Sequence, residues 1–379
     1  MPPHEREPPG GPPAAAPAHG KPAREKPAHE KPATGAPLTP DQGAPGPELH
    51  TLVVGREAMA CRFEVVFNVG EVRGDTALGL AALDLVDEIE ARISIYRATS
   101  ELARLNARAA GGWQPVSDDL LAFLLEAREL FERTAGAFDP AAGSLVRAWG
   151  FFERRGRTPD AAALAAARAA AGMSGVEIDP AGARVRFARP GIEINPGAIG
   201  KGWALDRALE MLRAAGVPSV LLHGGSSSVR ALGTQGPTGA GRAGWRVGIR
   251  DPLRPARRLA TVTLLDRALG TSGSGTQFFV DRGRRLGHIL DPRSGLPAEG
   301  VLSATVIAPR AAAADALSTA LYVLGPAGLD VVAPAGGDVA AILVVPARRS
   351  GAVRVLAANL DPALVEAVAG EGVDWVRAG

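Results

Sequence analysis

Three short segments carry the side chains best suited to chemistry. In "AAAADALSTALYVLG", Asp315 and Thr319 stand four apart, so a helix puts both on one face. A carboxylate beside a hydroxyl offers hard oxygen donors of the kind that suit Mg²⁺. The plainer alternative is an Asp315 that caps its helix and a Thr319 that bonds back to a carbonyl. In "LGHILDPRSGLP", His288 precedes Asp291 by three residues and a Pro292–Gly295 turn follows. A histidine at a strand end near a carboxylate can accept a proton, although a lone histidine in a turn equally fits a surface position. In "EINPGAIGKGWALD", Lys201 lies between Gly200 and Gly202 at the start of a helix. Free N–H groups and an ammonium there favour an anion; the alternative is that the glycines only make a tight turn. The segment is not a P-loop, because Gly197 is three positions before Gly200 and Gly202 follows the lysine. The rhythm of a dinucleotide fingerprint is missing as well.

These residues need elements to position them. "HTLVVGREAMACRFEVVFNV" reads as two strands and a turn, with Cys61 a small buried strand residue. A long amphipathic helix is expected over Asp75–Ala98, with Leu80, Leu83, Leu85, Val86, Ile89 and Ile93 on one side. Further helices are expected over Leu120–Thr134 and over residues 159–172, 202–215, 311–324 and 361–368. Strands are expected over 183–194, 218–223, 244–249, 257–264, 276–280, 301–307 and 339–345. Clustered strands separated by single helices point to an α+β fold rather than a βαβ alternation. Three glycine-punctuated loops, 136–151, 223–233 and 268–279, are simple turns singly and a backbone-lined ligand site together.

Composition narrows the function classes. Net charge is only +2 and aromatics are 4%, which argues against a nucleic-acid surface. No run of 18 apolar residues occurs, so no helical membrane span is expected. One cysteine excludes an intramolecular disulfide. Residues 1–48 hold 14 of the 31 prolines and repeat Lys-Pro-Ala in "KPAREKPAHEKPA", the composition of a disordered tail; the folded domain is expected over 49–379. With no signal peptide or lipidation cysteine visible, a cytoplasmic location is expected.

The order of "AMACRFEV", "ISIYRATSELARLN", "GAFDP…LVRAWGF", "NPGAIGKGWALDRALEML", "LGTSGSG", "GHILDPRSG" and "ADALSTALYVLG" resembles the ApbE family, the FAD:protein FMN transferases. The resemblance covers nearly all of residues 52–346. It implies two related antiparallel-sheet and helix halves with FAD in the cleft between them. It also implies a Mg²⁺-dependent reaction in which FAD is cleaved at its pyrophosphate, AMP leaves, and FMN is joined to a Thr or Ser hydroxyl of a flavin-accepting target protein. The Lys201 loop would then serve the pyrophosphate.

By the same resemblance, Met59 and Tyr96 would line the flavin site, and Ala137, Phe138 and Asp139 would contact FAD. Asn195 stands where the family usually has Asp; it, Lys201 and Ile289 would be further FAD contacts. The Ala198 carbonyl, Asp315 and Thr319 would hold the metal, with Ser318 a further candidate, and His288 would activate the acceptor hydroxyl. Two more departures stand out: "GGSSS" at 224–228 has serines where an acid is common, and most relatives are exported. An FAD pyrophosphatase, or an FAD-binding protein without a protein acceptor, are the alternative readings.

Overall fold

The first two strands form a hairpin closed by Met59 and Ala60, in the computed structural model that describes residues 49–236, 243–273, 275, 277–368 and 372–377. Both turn residues have positive φ, 49° and 60°, as a two-residue hairpin turn requires. Strand Thr51–Ala58 pairs with Cys61–Asn68 in unbroken antiparallel register. These two open a nine-stranded sheet. It continues through Val220–Gly224, Ser228–Leu232, Ala268–Gly273, Ser303–Ala308, Ala340–Pro346, Val353–Ala358 and Val373–Arg377. Every neighbouring pair is antiparallel except the last, which is parallel.

Period-2 alternation gives this sheet two apolar faces. On one, Phe63, Val65 and Phe67 meet the helices Asp75–Ile93, Gly200–Ala214 and Ala311–Leu324 through Leu83, Leu205 and Leu317. On the other, Leu221, Val229, Ile342 and Val355 meet a three-stranded sheet of Trp245–Arg250, Arg258–Leu264 and Val365–Ala367. A third cluster around Trp149, Phe151 and Leu290 ties helices Gly143–Ala148 and Ala161–Ala170 to the hairpin Phe278–Asp281/Arg284–Gly287. The fold is thus α+β.

Several expected elements shift. The first helix stops at Ile93, not Ala98, because Ser94 turns extended. Its buried stripe uses Gly79 and Ala82, while Leu80 is exposed. The expected strand over 183–194 shortens to Arg184–Phe187. The expected helix over 361–368 is absent; Val365–Ala367 is instead an edge strand held by Arg258–Leu264. Cys61 starts its strand but is only partly buried, and burial pushes its thiol up to about 11. The expected tail over residues 1–48 lies outside the described residues.

Candidate active site

Turns and strands of the nine-stranded sheet line a cleft of about 1640 Å³. Helix Ala311–Leu324 forms part of its wall. Two glycines let that helix sit close. A Cβ on Gly202 would lie 2.2 Å from the Ala311 carbonyl oxygen, and one on Gly270 would lie 2.5 Å from that of Ala314. The close approach brings the Gly202 N–H 2.9 Å from Asp315 Oδ2. One N–H of the Lys201 loop is therefore spent on a carboxylate of the protein itself.

Asp315 sits inside its helix rather than at the cap. Its carboxylate also accepts from Ser228 Oγ, at 2.7 Å to Oδ1 and 2.9 Å to Oδ2. No ion pair to a described residue compensates it. Burial pushes its carboxyl up to about 6, against the opposing pull of Lys201, Ser228 and the Gly202 N–H. Thr319 Oγ1 donates to the Asp315 carbonyl at 3.2 Å and meets Ser272 Oγ at 3.0 Å. Asp315, Thr319 and Ala198 all line the cleft, whereas Ser318 does not. The Ser318 hydroxyl is buried against the Asp315 carbonyl and Ser272 Oγ, each 2.9 Å away.

No cluster of three or more His, Cys, Asp or Glu occurs among the described residues. A cation here would take one carboxylate and complete its shell with hydroxyl and carbonyl oxygens. That donor set fits a hard divalent ion and not a soft one. A buried carboxylate with no ion-pair partner among the described residues is the feature such an ion would neutralise.

His288 follows strand Arg284–Gly287. Its Nδ1 lies 3.0 Å from the Gln277 carbonyl oxygen. A carbonyl only accepts, so Nδ1 carries the proton and Nε2 keeps its lone pair. Burial lowers the ring's pKa below the usual histidine value, with the Gln277 bond opposing and Lys201 adding to the fall. The Asp291 carboxylate expected beside it instead accepts from Arg293 Nε at 2.9 Å and does not line the cleft.

The other expected residues reach the same cleft. The Met59 N–H donates to Glu90 Oε2 at 2.9 Å, which pins the hairpin to the first helix. Tyr96 is 64% exposed and stacks on Phe152 at 4.8 Å. Ala137 and Phe138 are buried, and Asp139 accepts from the Ala141 and Met173 N–H groups at 2.8 and 3.1 Å. Burial pushes the Asp139 carboxyl up to about 6. Asn195 Oδ1 caps the Pro196–Ala198 turn through the Gly197 N–H. Ile289 lines the wall next to His288.

Sequence reasoning passes over three buried residues. Glu64 and His223 line the cleft as a cross-strand pair, with Glu64 Oε2 2.8 Å from His223 Nε2. The signal for Glu64 was a lone acid among the apolar residues of "CRFEVVFN". Asp206 accepts from the N–H groups of Ala311 and Ala312, both at 2.9 Å, and so anchors the start of the helix that carries Asp315.

An α+β cleft that gathers a lysine, a buried carboxylate, hydroxyls and a histidine with a free Nε2 has the groups phosphoryl transfer needs. The ApbE family model matches residues 59–343. The chain belongs to the ApbE family of flavin transferases. An FAD:protein FMN transferase of Treponema pallidum is 37% identical over 255 residues, covering 64% of this chain and 69% of that one. One of Rhodobacter capsulatus is 38% identical over 233 residues, 60% of this chain, but the match spans only 43% of that protein's length. The apo crystal structure of Pseudomonas stutzeri flavinyl transferase ApbE superposes with a TM-score of 0.72 at 30% identity, over 82% of this chain and 95% of the other.

Proposed function

We propose that the protein transfers FMN from FAD to a Thr or Ser hydroxyl of another protein and releases AMP. The observation that carries this reading is the convergence of Lys201, His288, Asp315 and Thr319, from separate segments, on one cleft. Its volume of about 1640 Å³ exceeds the ~300–1,000 Å³ typical of single small-ligand pockets, room for a dinucleotide and a second substrate.

His288 Nε2 takes the proton of the acceptor hydroxyl as its oxygen attacks the FMN phosphorus. The P–O bond to AMP breaks, and its electron pair leaves with AMP. A neutral ring is required, and burial keeps it neutral at physiological pH. General-base assistance of this kind contributes about 10²–10⁴-fold. Lys201 and the helix N-terminus provide fixed positive potential beside the phosphates. Asp315, Thr319 and the Ala198 carbonyl would hold Mg²⁺, which when bound offsets phosphate charge. The test is mass spectrometry of a candidate acceptor incubated with the protein, FAD and Mg²⁺. A mass gain matching FMN supports the reading; FAD split with every acceptor unmodified refutes it.

A further inference from the structure

The cleft extends beyond the catalytic residues onto strand Trp245–Arg250, all six residues of which line it. Among the described residues this strand is paired on one side only, by Arg258–Leu264. The Arg246 N–H points away from that partner, toward Gln235 Oε1 at 3.5 Å. Hydrogen-bonding direction alternates along an antiparallel strand. The N–H and C=O of Gly248 therefore face outward too, along the open edge. A bulge at Ile249/Arg250 then turns the strand into the Asp251–Arg257 connection.

The charge along this edge has one sign. Arg246, Arg250, Arg257 and Arg258 line the cleft here, and Asp251 is the one acid among them. Asp251 is spent on its own turn, accepting from the N–H groups of Leu253 and Arg254 at 2.8 and 3.2 Å. Arg246 is paired with Glu366. Arg250 and Arg257 are exposed and make no ion pair with a described residue. The stem of Arg258 lies over Gly248, where a Cβ would come 3.1 Å from its Cδ.

We propose that this open edge docks an extended, acidic segment of the acceptor protein, added as a further strand, with Arg250 and Arg257 pairing with its carboxylates. The proposal rests on the transfer reading above. Main-chain bonds to an edge give affinity without demanding a sequence, and flanking side chains give selectivity. Charges on an edge also discourage self-pairing, and a guard of one sign admits a partner of the other. An enzyme that must bring a hydroxyl to FAD needs such a second rail, continuous with the cavity that holds His288.

The probe is a pool of random peptides, each with one central Thr, incubated with the full chain, FAD and Mg²⁺. FMN-bearing products are isolated and sequenced. Arg250→Glu/Arg257→Glu is compared with the unaltered chain, and FAD affinity and FAD cleavage in water are measured on both. Products are expected to be enriched in Asp and Glu beside the Thr. The double variant should lose that enrichment and at least about tenfold in acceptor kcat/KM, with FAD affinity and cleavage unchanged. The selected peptide should also slow hydrogen exchange at Gly248. Products without acid enrichment, or the same products from the variant, overturn the docking proposal alone. FAD cleavage with no flavinylated peptide sinks the transfer reading and the docking proposal with it. A Gly248 amide already protected in the full chain, and exposed on deleting residues 1–48, would give the edge to the chain's own N-terminal segment and also overturn the proposal.

Discussion

In the proposed reaction His288 depends on a hydrogen bond that fixes which ring nitrogen is free. The Gln277 carbonyl takes the Nδ1 proton, so the rate should depend on Nε2 staying bare. Burial holds the ring's pKa below the usual value, near 6.5. At saturating Mg²⁺ the acid limb of the transfer rate should then have its midpoint below pH 6.5. His288→Asn should bind FAD normally, lose at least about a hundredfold in rate, and lose that acid limb. An unchanged limb in this variant would place the base elsewhere. Asp315 titrates with the opposite sign. Its folded pKa, about 6, is raised, so its contribution to stability is fully present below the ordinary Asp value and is lost as pH rises through 6. Asp315→Asn keeps an acceptor for the Gly202 N–H and removes the buried charge. Without metal above pH 6 it should melt no lower than the unaltered protein, yet show no melting-point rise with Mg²⁺ and almost no turnover. Asp315→Ala should melt lower, because stranding the Gly202 and Ser228 donors costs about 1–3 kcal/mol each. A Mg²⁺-dependent rise retained in the Asn variant would remove Asp315 from the metal site. The types and spacing of Asp315, Thr319 and His288 were legible in the sequence. The partners that tune them were not, because Gln277 acts through its backbone and Ser228 arrives on a strand far along the chain.

Elements with strong periodicity were legible and short polar ones were not. The first hairpin and the helix Ala311–Leu324 follow from alternation and from a long alanine- and leucine-rich stretch without Gly or Pro. Strands Ser228–Leu232 and Ala268–Gly273 read as turns, since "GGSSS" and "GTSGSG" are mostly Gly and Ser. They become central strands because both faces of the sheet are covered there and small residues let helix Ala311–Leu324 approach. Val365–Ala367 read as helix because its partner strand lies far away in sequence. The close approach has a direct test. Gly202→Ala puts a Cβ against the Ala311 backbone, which cannot swing aside as a side chain would. Overpacking of this kind costs about 1–3 kcal/mol. A lower urea midpoint and weaker Mg²⁺-induced stabilisation should appear together. An unchanged midpoint would mean that the two helices part freely.

At the scale of the whole molecule, one continuous cleft runs from the Lys201 loop to strand Trp245–Arg250. The α+β class and the presence of a ligand cleft were legible from clustered strands and glycine-rich loops. The open edge of strand Trp245–Arg250 was not, since that strand reads like any other alternating segment. If Lys201 and the helix N-terminus hold the pyrophosphate, as proposed, FAD should bind more tightly than FMN, which lacks that group. Titration calorimetry with both flavins checks this, and equal affinities would contradict it. The central claim, that the cleft passes FMN to a protein hydroxyl rather than to water, has its most direct test in stoichiometry. AMP released and FMN attached are counted in one reaction with an acceptor protein. One AMP for each FMN attached, with both lost together in His288→Asn, is the result expected. AMP released in large excess over attached FMN at saturating acceptor would show that water is the true acceptor and would contradict the claim.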